Sequence, residues 1–473
     1  MTTLIHWFRR DLRVEDNTAL VRAARDADRV VTVFVLDDRY AEDPNVGPAR
    51  FGFLRESLDD LERALGRIGG RLVLRPGPAA RALPALLGET GADAVYANAE
   101  IGPYPERRDR DAAAAVEAAG GRFRLFADEL LVPPDAIATE KGDPYTTFTP
   151  FSKRWLAAEK PEPLPAPQRL DAPELSGVPV ASVHAWRDLA KDPAAPRGGA
   201  GEALAALDRF FAGPAARYAA DRDRPGIVGT SRLSPHLHFG TISARTVRSR
   251  AEAAWRAAAP AARESLRRFV LELAWREFFH HVLFHFPRVA FGSFRRELDT
   301  IAWNDDPAGV EAWKLGRTGY PIVDGAMREL RETHWMHNRA RMIAASFLTK
   351  DLHVHWKTGE AWFEHELADA DLASNNGGWQ WAAGSGTDAA PYFRIFNPVL
   401  QGRRFDSEGR YVRRFVPELA RVPEAKLHEP WTMTPGEQRS AGCVIGKDYP
   451  APIVDHAKER EVALAMRRAS SRR

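Results

Sequence analysis

The hydrophobic pattern changes its period once along this chain, and that change constrains the fold more than any other feature. In the first 130 residues, short apolar runs at Thr3–Phe8, Val30–Leu36, Arg71–Arg75, Ala94–Ala97 and Phe123–Phe126 alternate with helical spacing. Alternating strands and helices build a parallel sheet covered on both faces. Asp16 reads as a helix N-cap, and Gly69-Gly70 ends the long helix that begins near Pro48. From Gly201 onward the spacing is helical, as in Ala203–Phe211, Ala261–Phe286, Ile322–Leu330 and Asn338–Lys350, with little strand-like alternation. Six prolines between Pro161 and Pro179, followed by the loose stretch Asp192–Gly201, separate the two patterns. The expected organisation is a doubly wound, Rossmann-like α/β domain over residues 1–130, a linker over 131–200 and an all-α domain over 201–473, with no solenoid repeat.

Composition excludes several classes. A single cysteine, Cys443, rules out an internal disulfide framework or a cysteine zinc site and fits a reducing cytoplasm. Neither a signal-peptide pattern nor a run of about 18 apolar residues occurs, so a soluble, non-exported protein without membrane contact is expected. The formal net charge of +3 permits a polyanionic partner without requiring one. The first strand–helix turn, Phe8-Arg9-Arg10-Asp11-Leu12-Arg13, holds no glycine, which removes the dinucleotide fingerprint. Ten of the 13 tryptophans lie beyond residue 250, although each one alone reads as core.

Several segments carry chemistry. Gly229-Thr230-Ser231-Arg232-Leu233-Ser234-Pro235 gathers hydroxyls and a cation before a helix, as a diphosphate requires; a Ser/Thr-capped helix would show the same pattern. Glu272, Trp275 and Arg276 share a helix patterned for burial, where Glu272 and Arg276 also suit an i,i+4 ion pair. Asn338, Arg339, Arg341 and Met342 mix amide, guanidinium and thioether groups within two turns. The run Asp369–Trp381 is dense in carboxylates and amides, which are costly to bury unpaired. Two aspartates there suggest a metal, but no histidine sits at matching spacing, and no metal is expected.

Taken together, these segments resemble the photolyase/cryptochrome family, and within it the microbial class I cyclobutane-dimer photolyases. The likeness starts at Trp7–Arg13 with Asp16-Asn17 and passes through Gly229–Ser234, Trp275-Arg276-Glu277-Phe278 and Gly319–Asp324. It is strongest over Trp335–Met342 and Asp369–Pro398. The resemblance implies an α/β antenna domain linked to a helical domain that encloses reduced FAD in a bent shape. By position, Tyr218, Thr230, Ser231, Arg232, Leu233 and Ser234 match the segment on the phosphates and ribityl chain. Phe269 and Arg276 fall beside the cofactor, Phe269 replacing the family's tryptophan. Arg341 and Asp369 match the ion pair against the isoalloxazine, Asp371 a carboxylate beside it, and Asn375 the amide facing N5.

For the substrate, the resemblance implies DNA containing cyclobutane pyrimidine dimers, with the dimer flipped into a pocket lined by Glu272, Trp275, Asn338, Arg339, Met342 and Trp381. Asn338 also falls on the cofactor side, and Arg339 is expected to grip phosphate. Trp379, Trp356 and Trp303 match the tryptophans that carry electrons to the flavin. Light-driven electron donation from reduced FAD would split the dimer and return the electron. A cryptochrome would carry a longer C-terminal extension than Ala457–Arg473, and a six-four photolyase would place histidines at Asn338 and Met342. Ala290-Phe291 replaces the Cys-Lys pair of the folate-binding branch. The segments around Arg50 and Glu100 resemble the deazaflavin-binding branch, which implies 8-hydroxy-deazaflavin as antenna, with methenyltetrahydrofolate as the alternative. A monomer is expected.

Overall fold

A computed structural model describes residues 1–37, 43, 45–180, 193–388 and 394–470. Its strands are β1 Thr3–Phe8, β2 Arg29–Leu36, β3 Leu72–Pro76, β4 Ala94–Asn98 and β5 Arg122–Phe126, each within a residue of its predicted position. They pair in parallel in the order β3-β2-β1-β4-β5, so the chain winds outward from β1 to one edge and then to the other. This is the expected doubly wound sheet.

Both faces are packed, which is why the central strands read as unbroken apolar runs. On one face Leu4, Phe8, Val30 and Phe34 meet Leu20 of the helix Thr18–Asp26 and Phe51 and Leu58 of the helix Pro48–Arg67. On the other, Ile5, Trp7, Val31 and Val33 meet Leu83 and Leu86 of Ala79–Thr90 and Val116 of Pro103–Ala118. Truncating a fully buried leucine such as Leu58 to alanine costs about 2–5 kcal/mol.

Asp16 is not the N-cap. Its backbone is left-handed (φ 55°), and its carboxylate accepts from Arg245 Nε at 2.8 Å, from the Leu164 N–H at 2.8 Å and from the Ser243 hydroxyl. With both oxygens committed to the linker and to the helix Ala244–Ala257, capping passes to Asn17, which accepts from the Leu20 N–H at 3.1 Å. The glycine stop is as predicted: Gly69 has φ 81°, and an added Cβ there would lie 2.7 Å from the Leu170 carbonyl oxygen of the linker.

Beyond Gly201 the described residues contain helices and only isolated bridges, Asn304 with Val354 and Ile445 with Tyr449. The predicted helices form as Ala200–Phe211, Pro260–His285, Pro321–Thr333 and Asn338–Lys350. The first starts inside the stretch expected to be loose, because the Asp60 carboxylate accepts the Ala200 N–H at 2.8 Å. Asp192 lies outside the described residues. No helix among them is long and apolar enough to cross a membrane.

By contacts the chain forms two compact units. The first comprises Met1–Ala216, Ser231–Pro287 and Ala368–Ala373; the second comprises Arg217–Thr230, Arg288–Leu367 and Ser374–Arg473. Glu277 shows why the helix Pro260–His285 groups with the sheet. Its buried carboxylate accepts the N–H groups of Leu131 at 2.5 Å and Val132 at 3.1 Å and the indole of Trp155 at 2.6 Å.

Candidate functional site

A doubly wound sheet holds its ligand at the carboxyl ends of its strands. Here those ends carry a charge network. Arg9 pairs with Asp109 at 2.5 Å and Arg13 with Asp128 at 2.5 Å, while Arg10 reaches Glu129 at 2.9 Å, Asp371 at 3.3 Å and Glu100 at 3.6 Å. Of the two residues expected at the antenna, Glu100 is engaged within it and Arg50 binds a backbone carbonyl. Glu100 accepts from the Arg10 N–H at 3.0 Å and from Arg108 at 2.9 Å. Burial opposes its charge, yet Arg108 and Arg10 outweigh that and hold the carboxyl well below its usual range. Arg50 is buried and directs Nη1 to the Ala370 carbonyl at 3.4 Å.

Glu129, His280 and Asp371 bring their ligand atoms within 4.8 Å of one another. Those are metal-binding residue types. However, the Arg10 guanidinium already lies on both carboxylates, and an added cation would have to displace it. Asp371, expected beside the cofactor, is thus also the centre of a clamp formed by Arg10, His280 at 3.5 Å and His238 at 3.7 Å.

In the same unit, Ser234 opens the short helix Ser234–Phe239, whose N-cap is Leu233 without any side-chain cap bond. Arg232 is exposed in a left-handed conformation (φ 53°). Phe269 is buried against Phe210, with ring centroids 4.7 Å apart. Trp275 is half-buried and stacks on Phe148 at 3.6 Å and 7°, so one ring face is covered by a partner that the sequence reading missed. Glu272 is half-buried on the same helix, and Arg276 donates to the Glu129 carbonyl at 3.1 Å.

In the second unit, the helix Asn338–Lys350 begins at His337, whose ring accepts the Arg339 N–H at 3.1 Å. Asn338 is exposed, and its amide lies 3.8 Å from the sulfur of half-buried Met342 one turn on. Arg339 donates to Asp223 at 2.9 Å and lies 4.3 Å from the Phe405 ring centroid. Burial opposes the Asp223 charge, but the hydrogen bond and charge of Arg339 outweigh it and lower its pKa. Arg341 donates from Nε to the Met336 carbonyl at 2.8 Å. Tyr218 is buried with Arg222 5.5 Å from its ring, and Thr230 is half-buried.

The polar run after Asp371 divides its work. Asn376 donates to Glu360 at 2.7 Å and, with Gln380, to the Val289 carbonyl. Asn375 donates from Nδ2 to the Glu360 carbonyl at 3.1 Å, and because a carbonyl can only accept, this fixes the amide with Oδ1 as its acceptor end. An amide oxygen held this way suits the N5–H of reduced flavin, so the donor set fits FAD.

Of the three tryptophans expected to carry electrons, Trp379 and Trp356 are buried and Trp303 is half-buried. No two of their rings are in recorded contact among the described residues. His355 bridges two of them, 5.4 Å from Trp303 and 5.7 Å from Trp356. Trp379 packs on Gly359, one turn along the helix that Trp356 opens, between Phe363 at 4.9 Å and Trp313 at 6.1 Å. Trp381 is half-buried, 6.4 Å from Phe396. His355, Gly359 and Trp313 carried no motif that sequence reading could have used.

Comparison with known proteins matches residues 4–168 to the DNA photolyase family and residues 269–469 to the FAD binding domain of DNA photolyase. A deoxyribodipyrimidine photo-lyase of Agrobacterium fabrum is 41% identical, covering 98% of this chain and 97% of its own. A bacterial class III photolyase from Agrobacterium tumefaciens superposes with a TM-score of 0.94 at 40% identity, covering 100% of this chain and 98% of its own. A cryptochrome of Synechocystis superposes at 0.90 with 29% identity over 98% and 99% of the two chains. The N-terminal sheet, the helical C-terminal half with its FAD-binding domain and these near full-length matches have one reading: the chain belongs to the photolyase/cryptochrome family.

Proposed function

We propose that this protein is a light-dependent deoxyribodipyrimidine photolyase, a carbon–carbon lyase that repairs cyclobutane pyrimidine dimers in DNA. The observation that carries this reading within the family is the pair Asn338 and Met342, set one turn apart at the open start of a helix. An amide can bond to base carbonyl and imide groups beside a soft thioether, where a six-four enzyme would place imidazoles. Bound reduced FAD supplies the photoexcited electron for ring splitting. The chain's own residues bind and orient: Glu272, Trp275 and Trp381 line the flipped dimer, and Arg339 holds phosphate once it exchanges Asp223 for DNA. Asn375 would accept from N5–H, Arg341 would face the flavin's negative charge within an ion pair with Asp369, Asp371 would lie beside the cofactor, and Tyr218 with residues 230–234 would hold its diphosphate arm. Trp303, Trp356 and Trp379 would carry electrons toward the flavin when it is oxidised.

A monomeric cytoplasmic enzyme is the accompanying reading, with domains over residues 1–130 and 201–473 joined by the linker 131–200. For the antenna, the absent Cys-Lys pair supports 8-hydroxy-deazaflavin over methenyltetrahydrofolate, with Arg50 and Glu100 as the residues that would engage it. The test of function is direct. Holoenzyme, reduced chemically and illuminated with blue light, restores dimer-containing oligonucleotides while a dark control does not. Equal loss of dimers in the dark, or repair of six-four lesions alone, would refute it.

A further inference from the structure

Four elements of the sheet-bearing unit converge on the hexapeptide Ala368–Ala373. Arg10 from the turn after β1, His238 from Ser234–Phe239 and His280 from Pro260–His285 surround the Asp371 carboxylate, and Arg50 from Pro48–Arg67 reaches the Ala370 carbonyl. We propose that His280 is a positioning residue for the flavin: as an imidazolium between Asp371 and Glu129 it locks this segment, and with it Asp369, so that loss of its proton loosens the cofactor. The proposal rests on reading Asp369 and Asp371 as cofactor-side residues.

The protonation state follows from geometry. His280 Nδ1 lies 2.9 Å from the Arg276 carbonyl oxygen, which can only accept, so Nδ1 carries a proton. Nε2 then faces Glu129 at 3.3 Å and Asp371 at 3.5 Å. A neutral ring would turn a lone pair toward two carboxylates, whereas an imidazolium faces both with a positive N–H in ion pairing. Burial and the nearby Arg276 disfavour the charge, yet Asp371 and Glu129 prevail, raising the pKa to about 9. The remaining charged neighbour is Arg10; His238, on the far side of Asp371, has its pKa lowered chiefly by burial. Because the folded pKa is raised, the clamp stays charged at pH 7 and is lost as pH rises through about 9, and the stability it contributes is full below about 6.5, the ordinary histidine value.

The experiment measures FAD release from oxidised holoenzyme in the dark, by flavin fluorescence from pH 7 to 10, with circular dichroism alongside. Wild type should release flavin about tenfold faster across a step near pH 9, with the fold intact, a factor equal to one unit of coupling between proton and flavin. His280→Gln should release fast already at pH 7 and show no step, while His238→Gln should keep it. A His280→Gln protein with the wild-type rate and step overturns the proposal. So does a flat wild-type profile, or a step that coincides with unfolding, and these decide even if the variant does not fold. Wild type that binds no FAD overturns instead the flavoprotein reading beneath it.

Discussion

Gly359 provides a sharp test of how the proposed tryptophan relay is packed. A Cβ placed there would lie 2.5 Å from Cζ2 and Cζ3 of Trp379 and nearer still to Cη2. Carbon atoms prefer about 3.5–4.0 Å, so Gly359→Ala must push the indole back by about 1 Å or more. The ring has little room to retreat, being 2% exposed with Phe363 and Trp313 against it. Overpacking of this kind costs about 1–3 kcal/mol. Alanine also gains roughly 1 kcal/mol over glycine in a helix, which would mask part of the loss. Gly378→Ala supplies the control: it lies in the helix Leu372–Ala383, is exposed, and has nothing within 4 Å of the added Cβ. The difference between the two variants, read from urea midpoints of FAD-saturated protein, should therefore be about 1–3 kcal/mol in favour of Gly378→Ala. Photoreduction of oxidised flavin should slow in Gly359→Ala alone. Equal midpoints and equal photoreduction in both would refute the packing argument.

Three further outcomes are expected. Trp379→Phe should block photoreduction while leaving repair by chemically reduced enzyme nearly intact, and loss of that repair would show that the ring also serves the dimer. Asn338→His with Met342→His should abolish dimer splitting under blue light even where DNA binding persists; unchanged repair would remove these positions from lesion selection. Affinity for dimer-containing DNA should fall with salt, and Arg339→Ala should flatten the log–log slope by about one phosphate's worth. An unchanged slope would mean that Arg339 stays with Asp223 in the complex.

The architecture was legible because it depends on local periodicity. Strands buried on both faces are mostly apolar, with His6 and Thr32 as buried exceptions, and Gly69, whose φ is 81° and whose Cβ would strike the linker, had to be glycine. The family and its FAD-binding half were legible for a different reason: separated motifs occur in order along the chain. Motif membership did not say what each residue does. Glu277 of the Trp-Arg-Glu-Phe motif holds the linker, and Asn376 and Gln380 hold the loop at Val289, so some polar groups in these motifs serve the fold.

By itself the sequence determined the sheet, the helical half, the turn without a glycine loop and the candidate residue types, since each is set by neighbours within a few positions. Only the tertiary structure decided which partner each side chain meets. Asp16 lost its cap to Asn17 because Arg245, 229 residues away, claims its carboxylate. Arg339 is held by Asp223 from 116 residues away, and Asp371 meets Arg10 across 361. Buried charges have to find counter-charges wherever the fold brings them. The pairing is therefore a property of three-dimensional packing, which no spacing along the chain encodes.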